Sequence, residues 1–236
     1  MVKSDHQRVK EQQVIVDMSK VYLYVVARDY GFAPNPFHGF CTLATCKPAI
    51  RNTAKIGDWI LGIGGTKLKA TGKCIYAMKV TNKVTFNEYW TNPIFKDKKP
   101  IRNGSKKMMI GDNIYFNHPD NNWSQAHSHH SHIDGSLNIY NLERDTKSKF
   151  VLVSDHFYFF GSKSPVIPSN FLSAIGYYNK IGHRVYDYHY AKDIIDWLEL
   201  NYGQLKNLII GLPVNFDNSM TYYSVATDKV TKNENI

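Results

Sequence analysis

Apolar and polar positions alternate along the chain in short blocks, and most apolar blocks have the length and composition of strands. Residues 21–27 (VYLYVVA) are β-branched, aromatic and almost unbroken in hydrophobicity, the pattern of a strand buried on both faces. The block ends in 28–36, where Gly31, Pro34 and Pro36 forbid regular structure. A long irregular segment straight after a buried strand is a place where binding and chemistry concentrate. Pro48 suits a first helical turn within 46–51. A turn at 56–58 leads into a second strand at 59–63, glycines at 64, 65 and 72 interrupt the pattern, and a third strand runs over 74–80. Strand, glycine turn and strand in close succession predict an antiparallel hairpin.

Farther along, 86–90 predicts a short helix, 114–116 a short strand, and 150–154 and 157–160 two more apolar strands. Ser169 or Asn170 is placed to cap a helix starting at Phe171. The clearest helix is 191–202, where Ile194, Ile195 and Leu198 share a face and Gly203 stops the turn. Residues 207–216 predict a last strand. No repeat is present and no linker splits the chain. The expected organisation is a leader over 1–20, one α+β domain over 21–217 with a mixed sheet and a few flanking helices, and a loose tail over 218–236.

Composition narrows the class. A chain of 236 residues buries roughly 70–75% of its unfolded surface, so neither metal nor disulfide is needed for folding and no cofactor is expected. No stretch approaches the roughly 20 apolar residues that cross a bilayer, and 1–20 lacks the apolar core of a secretion signal. Cys41, Cys46 and Cys74 are an odd number at spacings that suit no disulfide framework, which fits a reducing cytoplasm. The formal net charge of +9 favours polyanions, and 16 Tyr, 12 Phe and 4 Trp supply rings for stacking on flat ligands. Nucleic acid or a nucleotide is therefore the expected partner; nothing points to a membrane, and no protein partner is indicated.

The strings DYGFAPNPF at 29–37, CTLATCKP at 41–48, IR at 50–51 and GDWI at 57–60 together resemble the nucleotide modification associated domain 2 family, and SDHFYFFG at 154–161 is similar to its later segment. The resemblance implies a role near modified bases in nucleic acid and names no reaction. A basic residue before Gly57 and Asp58, followed by strand, glycine turn and a strand leading to Phe86, is similar to the PUA-like and EVE-like barrels. That likeness implies a partly barrel-like sheet and a pocket for a flipped base.

Three groups of residues carry candidate chemistry. In the first, Asp29 is suited to accept from an exocyclic amine and Asn35 to pair with a base edge, with Tyr30, Phe32 and Trp59 as stacking walls. The competing reading has Asp29 and Asn35 satisfying loop amides and Trp59 in the core. In the second, Cys46 beside Lys47 near a helix start has features that favour a thiolate, with His38 or Asp29 assisting and Lys47 as an alternative nucleophile. The competing reading is a small buried hydrophobe. Lys47, Arg51 and the basic loop with Lys96, Lys98, Lys99 and Arg102 are expected to contact phosphate. The third group is His118, His127, His129, His130 and His132 with Asp134. It fails the His-x-His-x-Asp-His pattern because Gly135 stands where a histidine is needed, so a solvated loop without metal is expected. The glycines at 62–65 lack the Lys-Ser/Thr ending of a phosphate loop. The function expected is recognition of a modified nucleotide or base in nucleic acid, in the setting of base modification or phage defence. The alternatives are an enzyme using Asp29 with Cys46 or Lys47, and an assembly component without a ligand of its own.

Overall fold

Strand β1 (Lys20–Val26) lies inside a five-stranded sheet and is buried on both faces, as its unbroken apolar run requires. The computed structural model describes residues 18–232, and the leader expected over 1–20 lies almost wholly outside the described residues. β1 runs parallel to β3 (Trp59–Gly64), pairing Val21 with Trp59, and antiparallel to β10 (His183–Asp187). β3 forms the expected antiparallel hairpin with β4 (Cys74–Lys79), and β9 (Phe157–Phe159) completes the order β10-β1-β3-β4-β9. Glycine is required at 62, where a Cβ would stand 2.4 Å from the Tyr76 ring.

A second sheet has the order β2-β8-β5, from β2 (Cys41–Leu43), β5 (Asn82–Thr85) and β8 (Phe150–Ser154). The two sheets share one corner. There β4 runs on into β5 and β8 into β9, and pairing continues through the bend from Lys79 N–H to His156 O (2.9 Å) and Thr81 N–H to Val153 O (3.0 Å). Elsewhere the sheets part, and among the described residues the strands close no barrel. The chain is a single α+β domain whose barrel-like character is confined to this corner.

Three interiors follow from the layers. Tyr22, Tyr24 and Val26 point from β1 toward Leu43 and Leu152 of the second sheet. Val21 and Leu23 point the other way, onto Ala191, Ile194, Ile195 and Leu198 of α6 (Tyr188–Tyr202), the helix read from its apolar stripe. The far side of the second sheet carries Phe86 and Tyr89 of α2 (Phe86–Thr91) and Leu142 of α4 (Ile139–Asp145). The short helices α1 (Pro48–Thr53), α3 (Lys106–Met109) and α5 (Ser169–Ala174) fill connections. Among the described residues no helix is long and apolar enough to cross a membrane.

Three segments depart from expectation. The strand expected at 207–216 reduces to one bridge, between Phe159 and Ile209. The polar stretch at 118–134 contains β7 (Trp123–Gln125), paired with β6 (Tyr115–Asn117), and then a buried run from Ser128 to Ser131. Beyond Asn218 the chain is a hairpin of β11 (Tyr222–Ser224) and β12 (Lys229–Thr231) instead of a loose tail. Arg102 explains it: its guanidinium donates to the carbonyls of Ser219 (3.1 Å), Met220 (2.8 Å) and Thr221 (3.2 Å) and lies over the Tyr222 ring.

Candidate active site

Residues after β2 turn sharply into α1, and Cys46 sits on that turn. Cys46 and Lys47 are both left-handed, with φ of +56° and +38°, a conformation that costs a non-glycine residue about 1–2 kcal/mol. Hydrogen bonds hold it. Cys46 N–H donates to Asp145 Oδ1 (2.7 Å), and Cys46 O accepts from Arg51 Nε (2.8 Å). Arg51 is fully buried, and its other nitrogens donate to the carbonyls of Phe150 (2.7 Å) and Asp145. Strain enforced by the surroundings in this way is a common property of functional turns.

Asp145 also faces His130. The His130 ring donates from Nδ1 to Asp145 Oδ2 (2.7 Å), while its Nε2 lies 3.9 Å from Cys46 Sγ. Tyr115 OH adds a second donor to Asp145 Oδ2 (3.0 Å), and Gln125 Nε2 donates to Tyr115 OH (3.2 Å). The charges follow from these contacts. Burial alone would neutralise His130, but Asp145 and then Cys46 push it up to about 9. Burial likewise opposes the Cys46 thiolate, and His130 more than offsets it, so the thiol ionises below its ordinary range. Asp145 is held below the usual carboxylate range against its burial, chiefly by His130. A thiolate–imidazolium pair oriented by a carboxylate is the arrangement that activates sulfur as a nucleophile.

The pair opens on a cavity of about 140 Å³, close to the roughly 150 Å³ of a protein cavity that takes up benzene. Tyr24, Tyr30, Phe32 and Tyr223 supply aromatic walls. Arg28, Lys47 and Arg144 bring positive charge to it. Arg28 is engaged with Asp228 (2.8 Å), and Lys47 Nζ lies 4.4 Å from the centre of the Tyr24 ring. His129 packs between Tyr30 and Phe32, with Nδ1 2.7 Å from Thr221 O; burial drives its pKa down to about 3, so it stays neutral.

The sequence candidates divide. Tyr30, Phe32, Cys46 and Lys47 meet at this cavity. Asp29 does not reach it: the carboxylate accepts from the backbone N–H groups of Gly31 (3.2 Å) and Val214 (3.0 Å), and burial pushes its pKa up to about 6. Asn35 is fully buried, donating to Ile110 O (2.9 Å) and accepting from Phe37 N–H (3.1 Å), so no base edge can reach it. Trp59 packs beneath α6 with its ring edge-on to His156. Lys98 is buried too, with Nζ donating to Asn35 O (2.9 Å), Asn35 Oδ1 (2.9 Å), Phe40 O (2.7 Å) and Thr42 Oγ1 (3.2 Å). Phosphate contact at Arg51, Lys98 and Arg102 would require breaking these internal bonds, whereas Lys96 is exposed and Lys99 lies over the Trp90 ring near the surface. His38 is absent from the cavity lining, and the partner of Cys46 is His130 in its place.

The five histidines of the third group serve separate ends, and His118 Nε2 lies 2.9 Å from Ser124 Oγ. His127 Nε2 is 2.9 Å from Tyr222 OH, His129 and His130 are placed as above, and His132 is exposed. Among the described residues no group of three or more His, Cys, Asp or Glu is placed to hold a metal ion. Sequence reasoning missed His130, Arg144, Asp145 and Tyr223 as parts of one site. The available signal was a cysteine followed downstream by histidine and aspartate.

Fold and site together define a class: a mixed α+β domain with a thiol–imidazole–carboxylate relay at an aromatic cavity. Within that class the chain belongs to the nucleotide modification associated domain 2 family, which it matches over residues 18–220. No curated protein and no solved structure matches the chain, and the likeness to PUA-like and EVE-like barrels finds no counterpart in these comparisons.

Proposed function

We propose that the chain is a thiol-dependent enzyme acting on a nucleotide or nucleobase. Cys46 is the nucleophile, His130 the acid and base, and Asp145 the group that orients and charges the imidazole. The observation that carries this reading is the run of contacts from Cys46 Sγ through His130 to Asp145, opening on a cavity of single-ring size. Nucleotide chemistry comes from the family, and the net charge of +9 suits an anionic substrate. Alkylation with iodoacetamide at neutral pH, mapped by peptide mass, tests it. Cys46 is expected to react well ahead of Cys41 and Cys74, whose thiols burial pushes up, and nucleoside monophosphates are expected to slow its reaction. Equal rates at the three cysteines, or no protection by any nucleotide, would contradict the reading.

The aromatic walls favour a second reading, in which the cavity recognises a modified base in nucleic acid without reacting. Stacking of a base on such rings is worth about 1–3 kcal/mol. Under that reading Cys46→Ser leaves the preference for modified over unmodified oligonucleotide intact and no turnover exists to lose.

A further inference from the structure

Arg144 is a half-buried cation that the relay itself does not use. It precedes Asp145 on α4 and lines the cavity with Cys46, and its Nη1 is buried with no hydrogen-bond partner among the described residues. A buried donor left unpaired is destabilising, so its retention at a cavity wall points to a ligand atom that completes it. Burial opposes the Arg144 charge, while Cys46, then Asp145, and then Tyr223, to which the side chain is hydrogen-bonded, support it, leaving Nη1 as the atom without a partner. Arg28 and Lys47 are already engaged, with Asp228 and with the Tyr24 ring. A cation beside a nucleophilic sulfur stands where negative charge develops when that sulfur adds to a carbonyl.

Resting on the reading of Cys46 as a nucleophile, we propose that the substrate is an acylated nucleobase, one whose exocyclic amine carries an acyl group, and that Arg144 is the oxyanion donor. The thiolate adds to the acyl carbon and forms the C–S bond, while the carbonyl π pair moves to oxygen and accepts from Arg144 Nη1–H. Collapse of this adduct breaks the C–N bond, and the base amine leaves with the proton from His130 Nε2. Neutral His130 then takes a proton from water as its oxygen attacks the thioester carbon. The C–S bond breaks, the carboxylic acid departs, and thiolate and imidazolium are restored. An acid placed at the sulfur suits substitution with a leaving group, and simple addition to a ring carbon has none.

The test uses N4-acetyl-2′-deoxycytidine and its 5′-monophosphate as probes with the full chain. Wild type is expected to release acetate from both. Arg144→Gln is expected to lower kcat about 100-fold or more with KM little changed, equally for both probes, and Arg144→Lys to recover part of the loss while melting at the wild-type temperature. A rise in KM for the monophosphate alone would put a phosphate on Arg144 and overturn the oxyanion role. Intact acetylated probes in the presence of a rapidly alkylating Cys46 would overturn the acyl chemistry and leave the nucleophile standing. Acetate release by Cys46→Ser at the full rate would overturn the nucleophile itself.

Discussion

His129 and His130 are neighbours in the same buried run, yet one is pushed down to about 3 and the other up to about 9. Burial acts on both; the difference is the Asp145 carboxylate 2.7 Å from the second ring. Turnover at Cys46 should therefore rise as pH climbs through its depressed value and fall as pH passes about 9, where His130 loses the proton it gives to the leaving group. Asp145→Asn should lower turnover on the order of 10²- to 10⁴-fold, because the imidazole loses both its charge and its orientation. Stability carries the same signature. The folded pKa of His130 lies above its ordinary 6.5, so its contribution is complete below 6.5 and is lost as pH rises through about 9. Melting temperatures of wild type and His130→Gln, measured across that window, should converge at the alkaline end; a constant gap would contradict the assignment.

Among elements, α6 and the Lys98 segment show what patterning can and cannot reveal. Leu198 of α6 is fully buried against the first sheet, and Leu198→Ala should cost about 2–5 kcal/mol in denaturant unfolding. That helix was legible because an apolar stripe at helical spacing has one meaning in a packed domain. β1 and the hairpin of β3 and β4 were legible for the same kind of reason. Lys98 was not: a lysine in a basic loop reads as a surface charge, and only folding shows it threaded among Asn35, Phe40 and Thr42 near Asp112, with burial pulling its pKa down to about 8. Lys98→Met should therefore lower the melting temperature by several degrees, with about 3–5 kcal/mol lost on removing one partner of a buried charged network. Nucleic-acid affinity should change little; a stable variant with weakened binding would restore the surface reading. Cys46 was visible as a candidate from its neighbours, but His130 lies 84 positions away and Asp145 a further 15. No local pattern encodes a contact made by tertiary packing.

At the level of the whole molecule, the site forms where four distant parts of the chain converge: the exit of β1, the turn between β2 and α1 that carries Cys46, the segment around His130 with α4, and the C-terminal hairpin. The hairpin is attached by Tyr223 N–H donating to His129 O (2.7 Å) and Val225 N–H to Asn141 Oδ1 (2.8 Å), and it sets Tyr223 in the cavity wall. It lies beyond residue 220, where the match to the family ends. Tyr223→Ala should leave the alkylation rate of Cys46 near that of wild type yet weaken its protection by nucleotides. The account as a whole rests on ionisation of one thiol in the intact fold. Ultraviolet titration of wild type against Cys46→Ser isolates that thiol, since Cys41 and Cys74 are held as neutral thiols by burial. The thiolate midpoint should lie below the ordinary thiol range in wild type and rise in His130→Gln. An ordinary alkaline midpoint in wild type, unmoved by that substitution, would contradict the account.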